Sequence, residues 1–92
     1  MNDDESLKIV LTIGGEKFEL FVQRQQEGMY REAARLINRK YQNYLNEFPA
    51  QSKETYLTMT LIDIAVALQE EREVDDRLEQ LVAKIDKVSG GH

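Results

Sequence analysis

The feature that most constrains this chain is a run from Lys53 to Val88 that contains neither glycine nor proline. With nothing to break it, the run reads as one helix, and its ~36 residues reach ~54 Å at 1.5 Å per residue. An earlier helical segment, about Gln26 to Glu47, reaches only ~33 Å. It carries Tyr30, Ala33, Ala34, Ile37, Tyr41, Tyr44 and Phe48 at helical spacing, with Met29 and Leu36 on one flank. Pro49 stops it, because a residue that precedes proline is pushed out of the α region. The connection Phe48–Gln51 is short enough to predict antiparallel helices. Ser52 is placed to cap the second helix, and Glu54 suits its first turn. An antiparallel first helix covers the second only to about Val74. Past that point Val74, Leu78, Leu81, Val82, Ile85 and Val88 form an apolar stripe with no cover left in the chain. Burying each such side chain stabilises by roughly 1.5–3 kcal/mol, so another chain is expected to cover them.

The stripe keeps a heptad frame. Leu57, Ile64, Glu71, Leu78 and Ile85 share one core position, and Thr60, Ala67, Val74, Leu81 and Val88 share the other. That is the pattern of an oligomeric coiled coil. Leu61, Ile62, Ala65 and Leu68 widen the apolar surface in the first half. Glu71 interrupts the seam inside Gln69–Glu73, either as a tolerated charge or as a device that sets register. Ser89 to His92 read as a frayed end.

Ahead of the helices, Leu7, Ile9, Leu11 and Ile13 alternate with polar residues and Val10. After Gly14-Gly15 the alternation resumes with Phe18, Leu20 and Val22. This is a β-hairpin whose two-residue turn needs positive φ at both positions. Counting outward pairs Ile13 with Glu16, Leu11 with Phe18, Ile9 with Leu20 and Leu7 with Val22. Such a ribbon is marginal alone and must lie on something apolar. The fold class is therefore α+β: hairpin, short helix, then a long helix extending into an oligomeric coiled coil. The expected division is a head over 1–73 and a tail over 74–92.

Composition narrows the chemistry. Seventeen acids against twelve bases give a net charge of −5 over 92 residues, the wrong balance for a dedicated nucleic-acid binder. There is no cysteine, and the single histidine is His92, so thiolate, Cys-zinc and His-based sites are not expected. The longest apolar run, Ile64 to Leu68, is far below the ~20 residues of a membrane span. Asn2, Asp3, Asp4 and Glu5 carry the wrong charge for a secretory signal, so a cytosolic protein is expected. Glu70, Glu71, Glu73, Asp75 and Asp76 lie beside Arg72 and Arg77 as a solvated face rather than an acid–base site. Gly14-Gly15 is not a phosphate cradle, because a strand follows it. Tyr30, Tyr41 and Tyr44 are expected in the core rather than as a stacking platform. No catalytic set, metal site or cofactor site emerges.

One surface feature remains. Arg31, Arg35 and Arg39 recur at four-residue steps on the first helix with Lys40 adjacent, on the side away from the apolar centre. Like charges at this spacing repel by ~0.2–0.5 kcal/mol per pair, and only Glu27 and Glu32 are near enough to relieve them. The stripe is either an ordinary solvated face or a docking surface for an acidic partner.

The segments I-G-G-E-K-F (Ile13 to Phe18), R-E-A-A-R-L-I-N (Arg31 to Asn38) and L-I-D-I-A-V-A-L (Leu61 to Leu68) resemble, in order and spacing, those of the ZapA family of bacterial cell-division proteins. The resemblance covers about residues 7 to 72. It implies a dimer formed through the head, and a tetramer in which two dimers join by their tails. It further implies a non-enzymatic, cytoplasmic protein at the midcell division ring that binds FtsZ and bundles its protofilaments. The basic residues that the family often places at the end of the first helix are missing from Leu45–Pro49. The FtsZ contact is therefore expected at Arg31, Arg35, Arg39 and Lys40. Self-association is expected through Leu57, Ile64, Leu68, Val74, Leu78, Leu81, Val82, Ile85 and Val88. The alternative is a coiled-coil scaffold of the same architecture for a different protein partner; an enzyme would need a catalytic cluster that the chain does not supply.

Overall fold

In a computed structural model, the described residues are 6–90, with side chains described through 84. Strand β1 (Ser6–Ile13) and strand β2 (Glu16–Gln23) form an antiparallel hairpin. A single 3-10 turn, Arg24–Gln26, leads into helix α1 (Glu27–Glu47), and helix α2 follows as Lys53–Gly90. The helix α2 thus continues two residues beyond the expected end at Val88. Two compact units divide the chain, Met1–Thr60 and Leu61–His92.

The hairpin has the register counted from the sequence, Ile13 opposite Glu16 through to Leu7 opposite Val22. Gly14 and Gly15 have φ of 58° and 86°, the left-handed conformations that a two-residue turn requires. One face of the ribbon is buried on α1: Ile9, Leu11 and Val22 cluster with Ala34, and Leu7, Ile13 and Leu20 pack against them. Phe18, opposite Leu11 on that same face, is 60% exposed, so the core stops short of the turn end of β2. Val10 and Phe21 stand exposed on the other face.

Polar clamps fix the turn and the connection. Asn38 reaches from α1 to the hairpin: its Nδ2 donates to the Thr12 carbonyl at 2.7 Å, and its Oδ1 accepts the Gly14 N–H at 2.9 Å. Lys53 Nζ lies 2.8 Å from Glu16 Oε2, and this pairing lowers the Glu16 carboxyl pKa and raises that of Lys53. A methyl added to Gly14 would lie 3.5 Å from Leu57 Cδ2, 3.7 Å from Lys53 Cε and 3.7 Å from Tyr41 Cε1, so the first two turns of α2 and α1 both approach the hairpin turn. At the connection, Tyr56 is buried; its hydroxyl donates to the Phe48 carbonyl at 2.5 Å and accepts the Gln51 N–H at 3.1 Å. Ala50 adopts φ 69° inside this clamp, an uncommon conformation for a residue with a Cβ. Ser52 caps α2 as expected, its Oγ accepting the Thr55 N–H at 3.1 Å.

The core is smaller than the helical pattern implies. Ala34 is the buried residue of α1, while Tyr41 and Tyr44 are half-buried and Phe48 is exposed. The last buried residue of α2 among those described is Thr60, rather than one near Val74. Of the apolar face of α1, Ala34 packs on the sheet and Tyr41 meets Tyr56 of α2 edge-on at 6.0 Å between ring centres. Asn38→Ala removes one donor and one acceptor to backbone groups of the turn. It should lower unfolding stability by about 1–2 kcal/mol, read as a shift in urea midpoint at unchanged slope.

Candidate functional site

Two surfaces were expected from the sequence, and the structure places both. The basic stripe lies on α1. Arg35 and Arg39 are exposed, and Arg31 and Lys40 are half-buried. The two relieving acids are where the spacing put them: Arg31 Nε lies 2.8 Å from Glu27 Oε2, and Arg35 Nη1 pairs with Glu32 Oε2. The Arg35–Glu32 pair is solvent-exposed and worth little net stability, whereas the Arg31–Glu27 pair is half-buried.

The stripe is not a uniform outward face. Arg31 and Arg35 border a groove of about 260 Å³ together with Ala34, Asn38 and the consecutive strand residues Val10, Leu11 and Thr12. Ala34 is the buried contact of α1 with the sheet, so residues next to it in helical order necessarily flank the strand. Two of the four basic residues therefore sit over the margin of β1. Arg39 and Lys40 lie nearer the C-terminal end of α1, past Asn38.

The apolar stripe of α2 divides at Thr60. Before that point its residues serve the first unit: Leu57 approaches the hairpin turn, and Thr60 is 2% exposed with its hydroxyl donating to the Tyr56 carbonyl at 2.9 Å. Beyond it Ile64 is half-buried, whereas Leu68, Val74, Leu78, Leu81 and Val82 are 51–56% exposed. Leu61, Ile62 and Val66 are exposed as well, at 68%, 59% and 50%. Ile62 and Val66 lie off the heptad seam, so the helix is apolar around most of its circumference over 61–68. The side chains of Ile85 and Val88 fall outside the described ones.

Two features of the structure carry no sequence signal. Asn38 was one letter in a helical motif, and only the juxtaposition of α1 with the turn gives it a task. Tyr56 carried no pattern of its own. Among the described residues no group of three or more His, Cys, Asp or Glu side chains could hold a metal ion. No helix is long and apolar enough to cross a membrane among the described residues.

The chain matches the family described as Cell division protein ZapA over residues 9–89. No curated protein and no solved structure matches it.

Proposed function

The chain belongs to the ZapA family of cell division proteins, and from that premise we propose that it is a non-enzymatic cross-linker of FtsZ protofilaments at the midcell division ring. The observation that carries this reading is the exposed seam: Val74, Leu78, Leu81 and Val82 each leave half of their surface to solvent on one stripe of α2. Apolar residues repeated at heptad spacing call for a second helix carrying the same stripe, because the area they hide stabilises the pair at roughly 25 cal/mol per Å². Self-association then makes each particle multivalent. Linked weak sites hold two filaments together more firmly than either site alone, which is the physical basis of bundling.

The filament contact in this reading is the stripe Arg31, Arg35, Arg39 and Lys40. The chain carries net charge −5, so a local basic surface is the part that an acidic filament face would attract. Rim charges of this kind chiefly set encounter rate and salt sensitivity.

Three outcomes are expected. Leu81→Glu places a charge in the seam and should lower the solution mass measured by light scattering, while hairpin and α1 stay folded by circular dichroism. An unchanged mass would remove the seam from the assembly. A chain ending at about Glu73 should retain FtsZ co-sedimentation and lose most bundling by microscopy, because valency falls while the docking surface remains. Undiminished bundling would assign the activity to the head alone. The double substitution Arg35→Glu with Arg39→Glu should cut co-sedimentation with FtsZ strongly and leave helicity and mass unchanged, since both side chains are exposed. Parental binding by that variant would leave the stripe a solvated face.

A further inference from the structure

The groove beside Arg31 and Arg35 has a backbone wall as well as a charged one. A two-residue turn is closed by a hydrogen-bonded pair, here Ile13 with Glu16. Hydrogen-bonded and non-hydrogen-bonded pairs then alternate along the ladder. Ile13, Leu11, Ile9 and Leu7 consequently face β2 with their N–H and C=O groups. Thr12, Val10, Lys8 and Ser6 direct theirs away from it. The sheet has two strands among the described residues, so these outward groups have no strand opposite them.

The turn end of this edge already shows what it accepts. The Asn38 side-chain amide donates to the Thr12 carbonyl and accepts the Gly14 N–H. That is the pair of bonds which the N–H and C=O of one residue in a neighbouring parallel strand would make. Among the described residues no such cap follows toward the N-terminus from Thr12, and Lys8 and Val10 are exposed.

We propose that the β1 edge accepts an extended acidic segment of a partner protein as a third strand, seated in the groove between Lys8–Thr12 and the Arg31–Arg35 face of α1. The proposal rests on the reading of the basic stripe as a docking face, and it adds how the partner lies there. Affinity comes from main-chain bonds to Val10 and Lys8, as in strand addition generally. Selection comes from the two guanidinium groups. Successive side chains on one face of a strand repeat every ~6.6 Å, and residues four apart on a helix are ~6 Å apart along its axis. Acids at alternate positions of the added strand therefore meet Arg31 and Arg35 in turn. Exchanging Glu32 for a partner carboxylate costs little, because the exposed Arg35–Glu32 pair is weak; Arg31 keeps Glu27 on its Nε and meets the partner with the rest of its guanidinium. A second copy of β1 suits this seam less well, since it would set two basic α1 faces side by side.

The test uses the full chain and a fluorescein-labelled peptide of about nine residues alternating glutamate and valine, long enough to span one strand. Its match is the same peptide N-methylated at alternate residues, which keeps the charge and removes strand donors. The parent peptide should bind by anisotropy, weaken as salt rises, and shift the amide resonances of Lys8 and Val10. The methylated peptide should bind at least about tenfold more weakly, a difference of about 1.4 kcal/mol. Arg31→Gln with Arg35→Gln should weaken the parent peptide and flatten its salt dependence. Val10→Pro removes an N–H aimed away from β2, a change an edge strand tolerates, and it should reproduce the loss seen with the methylated peptide. Equal binding of the two peptides would overturn strand addition and leave attraction by charge alone. Absence of binding at about millimolar peptide, the floor of useful affinity, would overturn it too. Protection of the Lys8 and Val10 amides without peptide, rising with protein concentration, would place a second copy on the edge and overturn the proposal. No FtsZ enters this assay. Loss of FtsZ binding in the Arg35/Arg39 variant beside a failed peptide titration would leave the docking face standing and remove only the third strand.

Discussion

A two-stranded ribbon has one apolar face to bury, and this chain has one short helix on which to bury it. The contact of Ile9, Leu11 and Val22 with Ala34 satisfies that need, and the other arrangements are built around it. Through Ala34, α1 lies on the sheet. Along α2 the last buried residue among those described is Thr60, Ile64 is half-buried, and Leu68, Val74, Leu78, Leu81 and Val82 stand exposed. The same packing decides which basic residues border the strand, since Arg31 and Arg35 flank Ala34 in helical order and Arg39 lies a turn further on.

Most of the architecture was legible because it follows from local chemistry. Gly14-Gly15 set the turn and the period-two pattern set the register, so every strand pair could be counted before any coordinate. Pro49 and Ser52 set the ends of the two helices within a residue. The ion pairs of Arg31 and Arg35 followed from helical spacing alone.

What the pattern could not convey was how a residue's surface is divided between neighbours. Tyr30, Ala33, Ile37 and Phe48 have the spacing of a core, yet none of them is buried, because periodicity identifies a face and not the area available to cover it. Leu57 belongs to the heptad frame by arithmetic and to the hairpin turn by contact. Asn38 and Tyr56 were silent for a different reason. Each bonds to backbone groups of another element, and the Thr12, Gly14, Phe48 and Gln51 peptide groups look alike in any sequence. The groove at the β1 margin belongs to the same class, since it exists only once helix and strand are laid together.

The Tyr56 hydroxyl joins both ends of the bend between α1 and α2, with Ala50 held at positive φ between them. An inserted residue there would pull Gln51 or Phe48 off the hydroxyl and displace the Ser52 cap, so a change in the length of the bend costs these bonds. The exposed helix beyond Thr60 has no such fixed measure. Adding a heptad lengthens it by about 10.5 Å and leaves each existing turn as it was. Variation in length therefore costs less in the helix beyond Thr60 than in the bend. In the cross-linker proposed above, such a change would alter the distance between the two filaments and leave the surface that holds each of them as it was.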